Sequence, residues 1–355
     1  MKFKLKAILA LSLLPQIVLV KWLSNYPLVI EKYYSQGIYS YISGFFRFTL
    51  GRIPFSVGDI LYASLLFLGL RYLILKRKCI WNNKLNFLVN IGLVIAVAYF
   101  TFNLSWGLNY HRVPIAKALK IEENKSRKDL LVFVNTLINH TNNIQEKIAG
   151  DTTKIITTPY STQEIFDKTL EGYKSIEKIH PFLKYENPSI KKSIFSSTLS
   201  YMGYGGYLNP FTNEAQVNAL IPPFRLSVIS GHEIGHQIGY SAENETNLIG
   251  YLVTLHNDDI YFKYAAQAYA LSYCLSDIKR NDEELFYKLL PKLNKGVLKN
   301  YEELTNFWKK YENVTEPVFK TIFNTFLKAN NQKDGIESYS KVVLLLVSYH
   351  QKYPL

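Results

Sequence analysis

Cysteine is nearly absent from this chain: among 355 residues there are only Cys79 and Cys274. Two cysteines cannot build a disulfide framework or a cysteine-rich zinc site. Basic runs are lacking too, since none exceeds KRK at 76–78 and no repeat of aromatic and basic residues is present. The formal net charge of +13 is therefore dispersed. Such a pattern is typical of a solvated surface and does not predict a nucleic-acid-binding protein.

Charge is missing altogether from LNFLVNIGLVIAVAYFTFNLSWGLNY, residues 85–110. About 20 apolar residues suffice to cross the hydrocarbon core of a bilayer. Trp106 and Tyr110, near the end of the run, fit an aromatic belt at the membrane interface. We therefore predict a transmembrane helix at about 85–108.

Two further apolar segments precede this one. VGDILYASLLFLGLRYLILK, 57–76, has its charged residues toward its ends, where long side chains can reach the interface. KAILALSLLPQIVLVKWL, 6–23, follows a basic start, as a cleaved signal peptide would. No small-x-small cleavage site follows it, and Lys21 and Trp22 fit an interface, so we favour an uncleaved helix. Residues 1–110 then form a membrane domain with three transmembrane helices.

The distribution of basic residues predicts the orientation of these helices, because cytoplasmic loops carry an excess of Lys and Arg. Residues 1–6 and the short stretch 71–84 are rich in Lys and Arg, whereas the longer stretch 21–56 holds only Lys21, Lys32, Arg47 and Arg52. We expect a multi-pass protein of the cytoplasmic (inner) membrane, with everything after Tyr110 outside the cytoplasm. The two cysteines would then lie on opposite sides of the membrane.

Residues 111–355 have the pattern of a soluble domain. Apolar residues recur at helical spacing in 129–148, in 162–179 after Ser161 or Thr162 as N-cap, and in 248–276. By contrast, SIFSSTLSYMGYGGYLNPFTNEAQVNALIP, 193–222, is rich in Ser, Thr, Tyr and Gly, which favours short strands or a hairpin. The chain is therefore predicted to be mainly α, with three N-terminal transmembrane helices and then a helix-rich α+β domain containing a small sheet.

HEIGH at 232–236 carries the chemistry. On a helix, residues four apart share a face, so His232 and His236 can present two imidazoles to one metal ion. Glu233 lies beside the first ligand and can take a proton from a water held by the metal. Zn²⁺ suits this arrangement, because it binds neutral imidazole and leaves a position open for water.

A catalytic zinc needs a third protein ligand, and two glutamates follow the motif. Gly239 and Tyr240 form a natural helix stop, after which Ser241 or Asn244 can cap a second helix. If that helix runs over 245–256, Glu245 shares a face with Leu248, Ile249 and Leu252, while Glu243 aligns with Asn247 and Gly250. An inward carboxylate on an apolar face needs a partner, so we predict Glu245 as the third ligand. The alternative is a capping carboxylate at the helix start.

Other residues near the motif are weaker candidates. Glycines at 231, 235 and 239 could give the helix a smooth face for close packing, and the preceding strand could bind a substrate backbone. Glu214 and Asn218 could line the cleft, although ordinary strand or turn roles are more frequent. A peptidase also needs an oxyanion donor, for which Tyr264 is named among Tyr261, Tyr269 and His256.

Five ordered motifs resemble a known family: YSQGIYSYIS, IPFSVGDILY, WGLNYHR, YGGYLNPFTNEAQVN and HEIGHQIGYSAENETN. Together they are similar to the bacterial domain of unknown function 3810, from about residue 30 to SYSKVVLLL at 338–346. The resemblance implies a membrane-anchored branch of the HExxH zinc-peptidase superfamily, with the third ligand in a Glu-Ala-Asn-like motif. That motif matches Glu245–Thr246–Asn247 here, with Thr in place of Ala. No substrate is implied.

The leading hypothesis is a membrane-anchored zinc metallopeptidase that hydrolyses a peptide or protein substrate. An intramembrane protease would place HExxH within an apolar span and take a ligand from an Asp-Gly in another span. Here HEIGH is bordered by Arg225 and the polar SAENETN, and the sole Asp-Gly, Asp334–Gly335, lies in the polar NQKDGIES. A third hypothesis is a non-enzymatic zinc-binding envelope sensor or scaffold protein.

Overall fold

A computed structural model describes residues 2–123, 126–335, 337 and 341–355. The first three residues of SYSKVVLLL, 338–340, lie outside the described residues. The chain divides into two compact units. The first contains Met1–Val113 and Asn209–Glu214, and the second contains Pro114–Leu208 and Ala215–Leu355.

The first unit is built from helices. Three of its helical stretches, Phe3–Leu23, Val57–Asn82 and Lys84–Ser105, are long and apolar enough to cross a membrane, with mean hydropathies of 1.8, 1.6 and 2.0. The predicted apolar helices are thus confirmed and indicate a membrane protein. The elements of this unit are α1 (Phe3–Leu11), α2 (Leu13–Leu23), α3 (Pro27–Val29), a π-helix (Ile30–Ile38), α4 (Tyr39–Leu50), α5 (Val57–Asn82), α6 (Lys84–Ser105) and a 3₁₀ turn (Gly107–His111).

Polar contacts join distant parts of the first unit. Lys6 Nζ on α1 donates to Asn90 Oδ1 on α6 at 2.9 Å. Arg112 Nη2 pairs with Glu31 Oε1 at 2.7 Å. At the start of α5, the buried Glu214 carboxylate accepts from the backbone amides of Val57 and Gly58. A carboxylate is stabilised there because the first amides of a helix lack partners and carry partial positive charge.

The second unit is mainly helical and contains a small sheet. Its elements are α7 (Ile115–Leu119), α8 (Arg127–Ala149), α9 (Thr162–Glu177), a 3₁₀ turn (Pro181–Leu183), β1 (Ile190–Lys192), α10 (Ser196–Met202), β2 (Gly206–Asn209), β3 (Glu214–Val217), α11 (Pro223–Gln237), α12 (Glu243–Leu255), α13 (Ile260–Asn281), α14 (Glu283–Leu289), a 3₁₀ turn (Leu290–Lys292), α15 (Lys295–Tyr311), α16 (Glu316–Ala329) and α17 (Val342–Lys352). The turn joining β2 to β3 belongs to the first unit.

The sheet lies just before the HEIGH helix, as predicted. Its strand order is β1-β3-β2, and β1 pairs with β3 in parallel, with Ile190 opposite Ala215. The connection between β2 and β3 is short, which permits only an antiparallel hairpin. The short strands expected within 193–222 are present as β2 and β3, but Ser196–Met202 form α10, a helix that the sequence pattern did not predict and that stops at Gly203 with φ +78°. The hydroxyls of Ser196 and Ser200 bond to backbone carbonyls there, which removes their preference for an extended chain.

The two long predicted helices before the sheet are present. Ser126 forms a capping box with Asp129 at the start of α8. Ser161, rather than Thr162, is the N-cap of α9. The apolar faces of α8, α11, α12, α13 and α17 pack into one core around fully buried residues, which include Leu137, Ile234, Leu252, Ala266 and Leu346. Helix α11 therefore lies in the interior of the second unit.

Candidate metal centre

Helix α11 presents the HEIGH residues from a buried position. It starts with Pro223 at its first turn and ends before Gly239, whose φ of +91° disfavours any residue with a Cβ. One ligand atom from each of His232, Glu233 and His236 lies within 4.8 Å of the other two. The structure thus brings together the three residues expected from the motif, in a group that could hold a metal ion.

The imidazoles of both histidines are oriented through their Nδ1 atoms. His232 Nδ1 lies 2.9 Å from Asn247 Oδ1, and His236 Nδ1 lies 2.8 Å from the carbonyl oxygen of Tyr240. Each oxygen can only accept, so each Nδ1 carries a proton, and in the neutral imidazole Nε2 then keeps its lone pair. This is the tautomer that a metal-ligating histidine needs.

A carboxylate approaches both Nε2 atoms, and it belongs to Glu243. Glu243 Oε2 lies 3.3 Å from His232 Nε2 and 3.7 Å from His236 Nε2. Glu245, the predicted ligand, instead accepts a hydrogen bond at Oε1 from the backbone amide of Ile115 at 2.8 Å. The geometry therefore favours Glu243 as the third ligand.

The choice between the two glutamates depends on where α12 begins and on which of its faces meets α11. The helix begins at Glu243 after Ala242, with no side-chain cap, so neither Ser241 nor Asn244 has the expected capping role. The face that contains Glu243 and Asn247 also contains Gly250, which packs against α11. Ile249, from the apolar face favoured by the sequence argument, also lies against α11, beside Gly235.

Glycines bring α11 and α12 into backbone contact. A Cβ on Gly250 would lie 2.5 Å from the Val228 carbonyl oxygen and 3.0 Å from the His232 amide nitrogen. A Cβ on Gly231 would lie 3.1 Å from the Cα of Gly250. The smooth helix face expected from the glycine spacing is therefore present at Gly231 and Gly235, whereas Gly239 follows the end of α11. Its effect is to place Glu243 and Asn247 within reach of the two imidazoles.

Glu233 is closely packed and almost inaccessible to solvent. Its side chain is 4% exposed, and Oε2 has no hydrogen-bond partner. Burial raises the pKa of this carboxyl to about 7, against the opposing effect of the two imidazoles. Gly206 of β2 lies beside it, since a Cβ there would be 2.6 Å from Glu233 Oε1. The start of β2, an edge strand, thus borders the carboxylate.

The charges of the group are strongly coupled in the absence of a metal. Burial alone would lower the pKa of His236, but the Glu243 carboxylate outweighs it and raises that pKa to about 9. Burial would likewise raise the pKa of Glu243, but the imidazoles hold it well below its usual range. Glu243 is therefore an anion in a buried site, and without a metal its partners are the two imidazoles.

Tyr264, the predicted oxyanion donor, has a side-chain partner on α15. Tyr264 is fully buried, and its hydroxyl donates to Asn300 Oδ1 at 2.8 Å. His256 follows the far end of α12, where its Nδ1 bonds to the Leu252 carbonyl. The ring of Tyr269 lies 4.0 Å from the Arg225 guanidinium carbon. The oxyanion donor therefore stays a prediction, and Tyr269, whose buried hydroxyl has no hydrogen-bond partner among the described residues, remains among the candidates.

Glu214 and Asn218 have structural contacts. Thr212 Oγ1 donates to Glu214 at 2.9 Å, in addition to the amides at the start of α5. Asn218 Nδ2 donates to Ser200 Oγ and to the Tyr204 carbonyl. The ordinary structural roles considered for these two residues therefore account for their side-chain contacts.

Comparison with known proteins now identifies the family. A family described as "Protein of unknown function (DUF3810)" matches residues 34–347, nearly the whole chain. The chain belongs to this family. No curated protein and no solved structure matches it. Membership in DUF3810 confirms the resemblance, but the description assigns no activity, so a functional argument depends on the geometry.

Proposed function

We propose that this member of DUF3810 is a membrane-anchored, zincin-like metallopeptidase. In this proposal His232, His236 and Glu243 hold Zn²⁺, and Glu233 is the general base. The observation that carries the proposal is the convergence of two correctly oriented imidazoles on one buried carboxylate, beside a second buried carboxylate with an unpartnered oxygen.

The donor set fits zinc. Two imidazole nitrogens and a carboxylate oxygen are a frequent catalytic set, and Glu243 Oε2 has no hydrogen-bond donor of its own. A cation at this point would partner that buried anion and would sit beside both Nε2 lone pairs. When bound, zinc lowers the pKa of a water molecule and polarises the substrate carbonyl.

The roles of the protein groups follow from their positions. Glu233 Oε2 has no competing donor, so it is available to accept the proton of the attacking water and return it to the leaving amine. Asn247 and the Tyr240 carbonyl hold the imidazole rings in place. Gly206 allows the backbone at the start of β2 to lie against Glu233, where a substrate strand could align beside the edge of the sheet.

The topology of the chain is part of the proposal. The basic residues of 71–84 favour a cytoplasmic location for the junction of α5 and α6 at Asn83, which would leave the catalytic domain outside the cytoplasm. Labelling Cys79 in intact cells with a membrane-impermeant maleimide tests this, because its side chain is exposed and Cys274 is buried. No labelling until the cells are permeabilised is expected, and labelling of intact cells contradicts the orientation.

The direct test uses the purified full chain in detergent, loaded with zinc and incubated with a complex peptide mixture. Glu233→Gln should retain one zinc per chain and lose hydrolysis by about 10²- to 10⁴-fold, the usual contribution of a general base. The matched control is Glu284→Gln, which changes an exposed glutamate on α14. A zinc-loaded wild type that cleaves no peptide, or a Glu233→Gln variant with full activity, refutes the proposal.

A further inference from the structure

Helix α11 is open to solvent along one stripe only. Beyond Pro223, its residues are buried except for Arg225 and Ile229, which keep intermediate exposure, while His232 is 9% exposed. These three residues are spaced by four and three positions, so they lie on one face of the helix. The exposed face of α11 therefore carries, in order, the candidate ligand His232, the apolar Ile229 and the cationic Arg225.

Arg225 is held by aromatic rings rather than by acids. Its guanidinium carbon lies 4.0 Å from the ring centroid of Tyr269 and 5.7 Å from that of Tyr273. Across the described residues, the Arg225 side chain makes no hydrogen bond or ion pair in the structure. Stacking on rings fixes the plane of a guanidinium and leaves its N–H donors unused. Such a group is suited to bidentate binding of a carboxylate.

The start of the edge strand follows the same path. A Cβ on Gly206 would lie 2.6 Å from Glu233 Oε1, and one on Gly205 would lie 3.3 Å from Ile229 Cδ1. The backbone of Gly205 and Gly206 thus runs from Glu233 to Ile229, in the direction of Arg225. A substrate peptide lying beside this backbone would reach the Arg225 guanidinium.

The distance defines which part of a substrate would reach Arg225. Seven residues of α-helix separate the Cα atoms of Arg225 and His232 by about 10 Å. An extended peptide advances about 3.3 Å per residue. A substrate group bound to Arg225 would therefore be about three residues from a peptide bond positioned at the metal centre.

We infer that Arg225 binds a carboxylate of the substrate, about three residues from the scissile bond. The inference rests on the proposed peptidase function and names the substrate class: peptides with an anionic group at that distance. Either a free C-terminal carboxylate or an Asp or Glu side chain offers this chemistry.

The test measures binding with the zinc-loaded Glu233→Gln chain, which should hold substrates without cleaving them. The probes are randomised hexapeptides in three sets: C-terminal acid, C-terminal amide, and amide with Asp at one fixed position at a time. Retained peptides are quantified by mass spectrometry. We expect the acid set, or one Asp set, to bind about 10- to 100-fold more tightly than the plain amide set, as a charge-assisted hydrogen-bond pair implies. The set that binds more tightly shows whether the carboxylate is the C-terminal group or an Asp side chain.

Arg225→Met, made in the same background, should reduce that preference to about one, because it keeps an apolar stem and removes the guanidinium. Arg280→Met is the matched control on an exposed arginine of α13 and should keep the preference. Arg225→Lys provides a second variant if Arg225→Met fails to fold: it keeps the charge, loses the planar fork and should weaken the preference.

The outcomes separate this inference from the proposed function. A carboxylate preference that survives in Arg225→Met, or no preference in the parent chain, overturns the inference. Retention of carboxylate peptides through Arg225 together with no hydrolysis by wild type would support the binding site and refute the peptidase. Hydrolysis that depends on Glu233 but not on Arg225 would leave the peptidase and overturn the inference.

Discussion

Replacing Gly250 by Ala should push α11 and α12 apart. The added Cβ would lie 2.5 Å from the Val228 carbonyl oxygen, whereas ordinary contact begins at 3.4 Å, so the backbones must separate by about 0.9 Å. The Cβ would meet backbone atoms of α11, at Val228 and His232, so no rotamer change can relieve the clash. Glu243 and Asn247 are on the displaced helix, so both would move away from the imidazoles.

The magnitude follows from two opposing effects. Overpacking a well-packed interior costs about 1–3 kcal/mol, and replacing a helical Gly with Ala returns up to about 1 kcal/mol. The expected net loss in the free energy of unfolding is therefore about 1–2 kcal/mol. Disturbing the groups that orient metal ligands lowers metal affinity by about 10- to 100-fold.

Thermal unfolding and zinc titration of the full chain measure these two effects. The matched control is Gly235→Ala on α11, whose Cβ would meet only side-chain atoms, the Thr246 methyl at 3.2 Å and Ile249 at 3.4 Å and beyond. We expect the control to be close to neutral in stability and zinc affinity. A Gly250→Ala chain that is as stable as wild type and binds zinc equally well would refute the reasoning.

Three further predictions concern single side chains. Asn247→Ala should weaken zinc binding by about 10- to 100-fold through loss of the His232 Nδ1 acceptor, and Asn247→Asp, which keeps an acceptor, should weaken it less in the same titration. Tyr264→Phe should lower the free energy of unfolding by about 1 kcal/mol, because the hydrogen bond to Asn300 is lost. The hydrolysis rate should not change, and a fall in kcat would instead support Tyr264 as the oxyanion donor. Burial lowers the pKa of His350 from 6.5 to about 4. Between these two pH values the imidazole is protonated in the unfolded chain but neutral in the folded chain. The free energy of unfolding should fall by about 3 kcal/mol as the pH drops through that window, and His350→Gln should remove this slope in denaturant titrations.

Much of the architecture was predictable because it depends on local composition. Uninterrupted apolar runs can exist only as helices in a membrane, and the described N-terminal spans agree with that expectation. The pairing of His232 with His236 follows from helical periodicity, and Glu233 lies beside them in the structure. Ser126 and Ser161 form capping boxes at the starts of predicted helices for similarly local reasons.

The rest depends on contacts between segments. The sequence pattern favours Glu245 over Glu243 because leucine and isoleucine share the face of Glu245. The closest backbone contact with α11 is instead made by Gly250, on the face of Glu243. Helix–helix contact at backbone distance selects small residues, so hydrophobicity alone does not show where the two backbones come closest. The spacing of Gly250 from Glu243 and Asn247 is the sequence pattern that favours Glu243 as the third ligand. The stacking of Arg225 on α13 has no local pattern and required the structure.

Zinc binding by two matched variants tests the central claim most directly. Zinc content and X-ray absorption would be measured on the full chain and on Glu243→Gln and Glu245→Gln. One zinc per wild-type chain is expected, with imidazole nitrogens at about 2.0–2.1 Å and oxygens at about 2.0–2.2 Å. Glu243→Gln should lose most of the zinc, and Glu245→Gln should keep both the zinc and the spectrum. Loss of zinc in Glu245→Gln but not in Glu243→Gln, or a wild-type chain without zinc, would contradict the account.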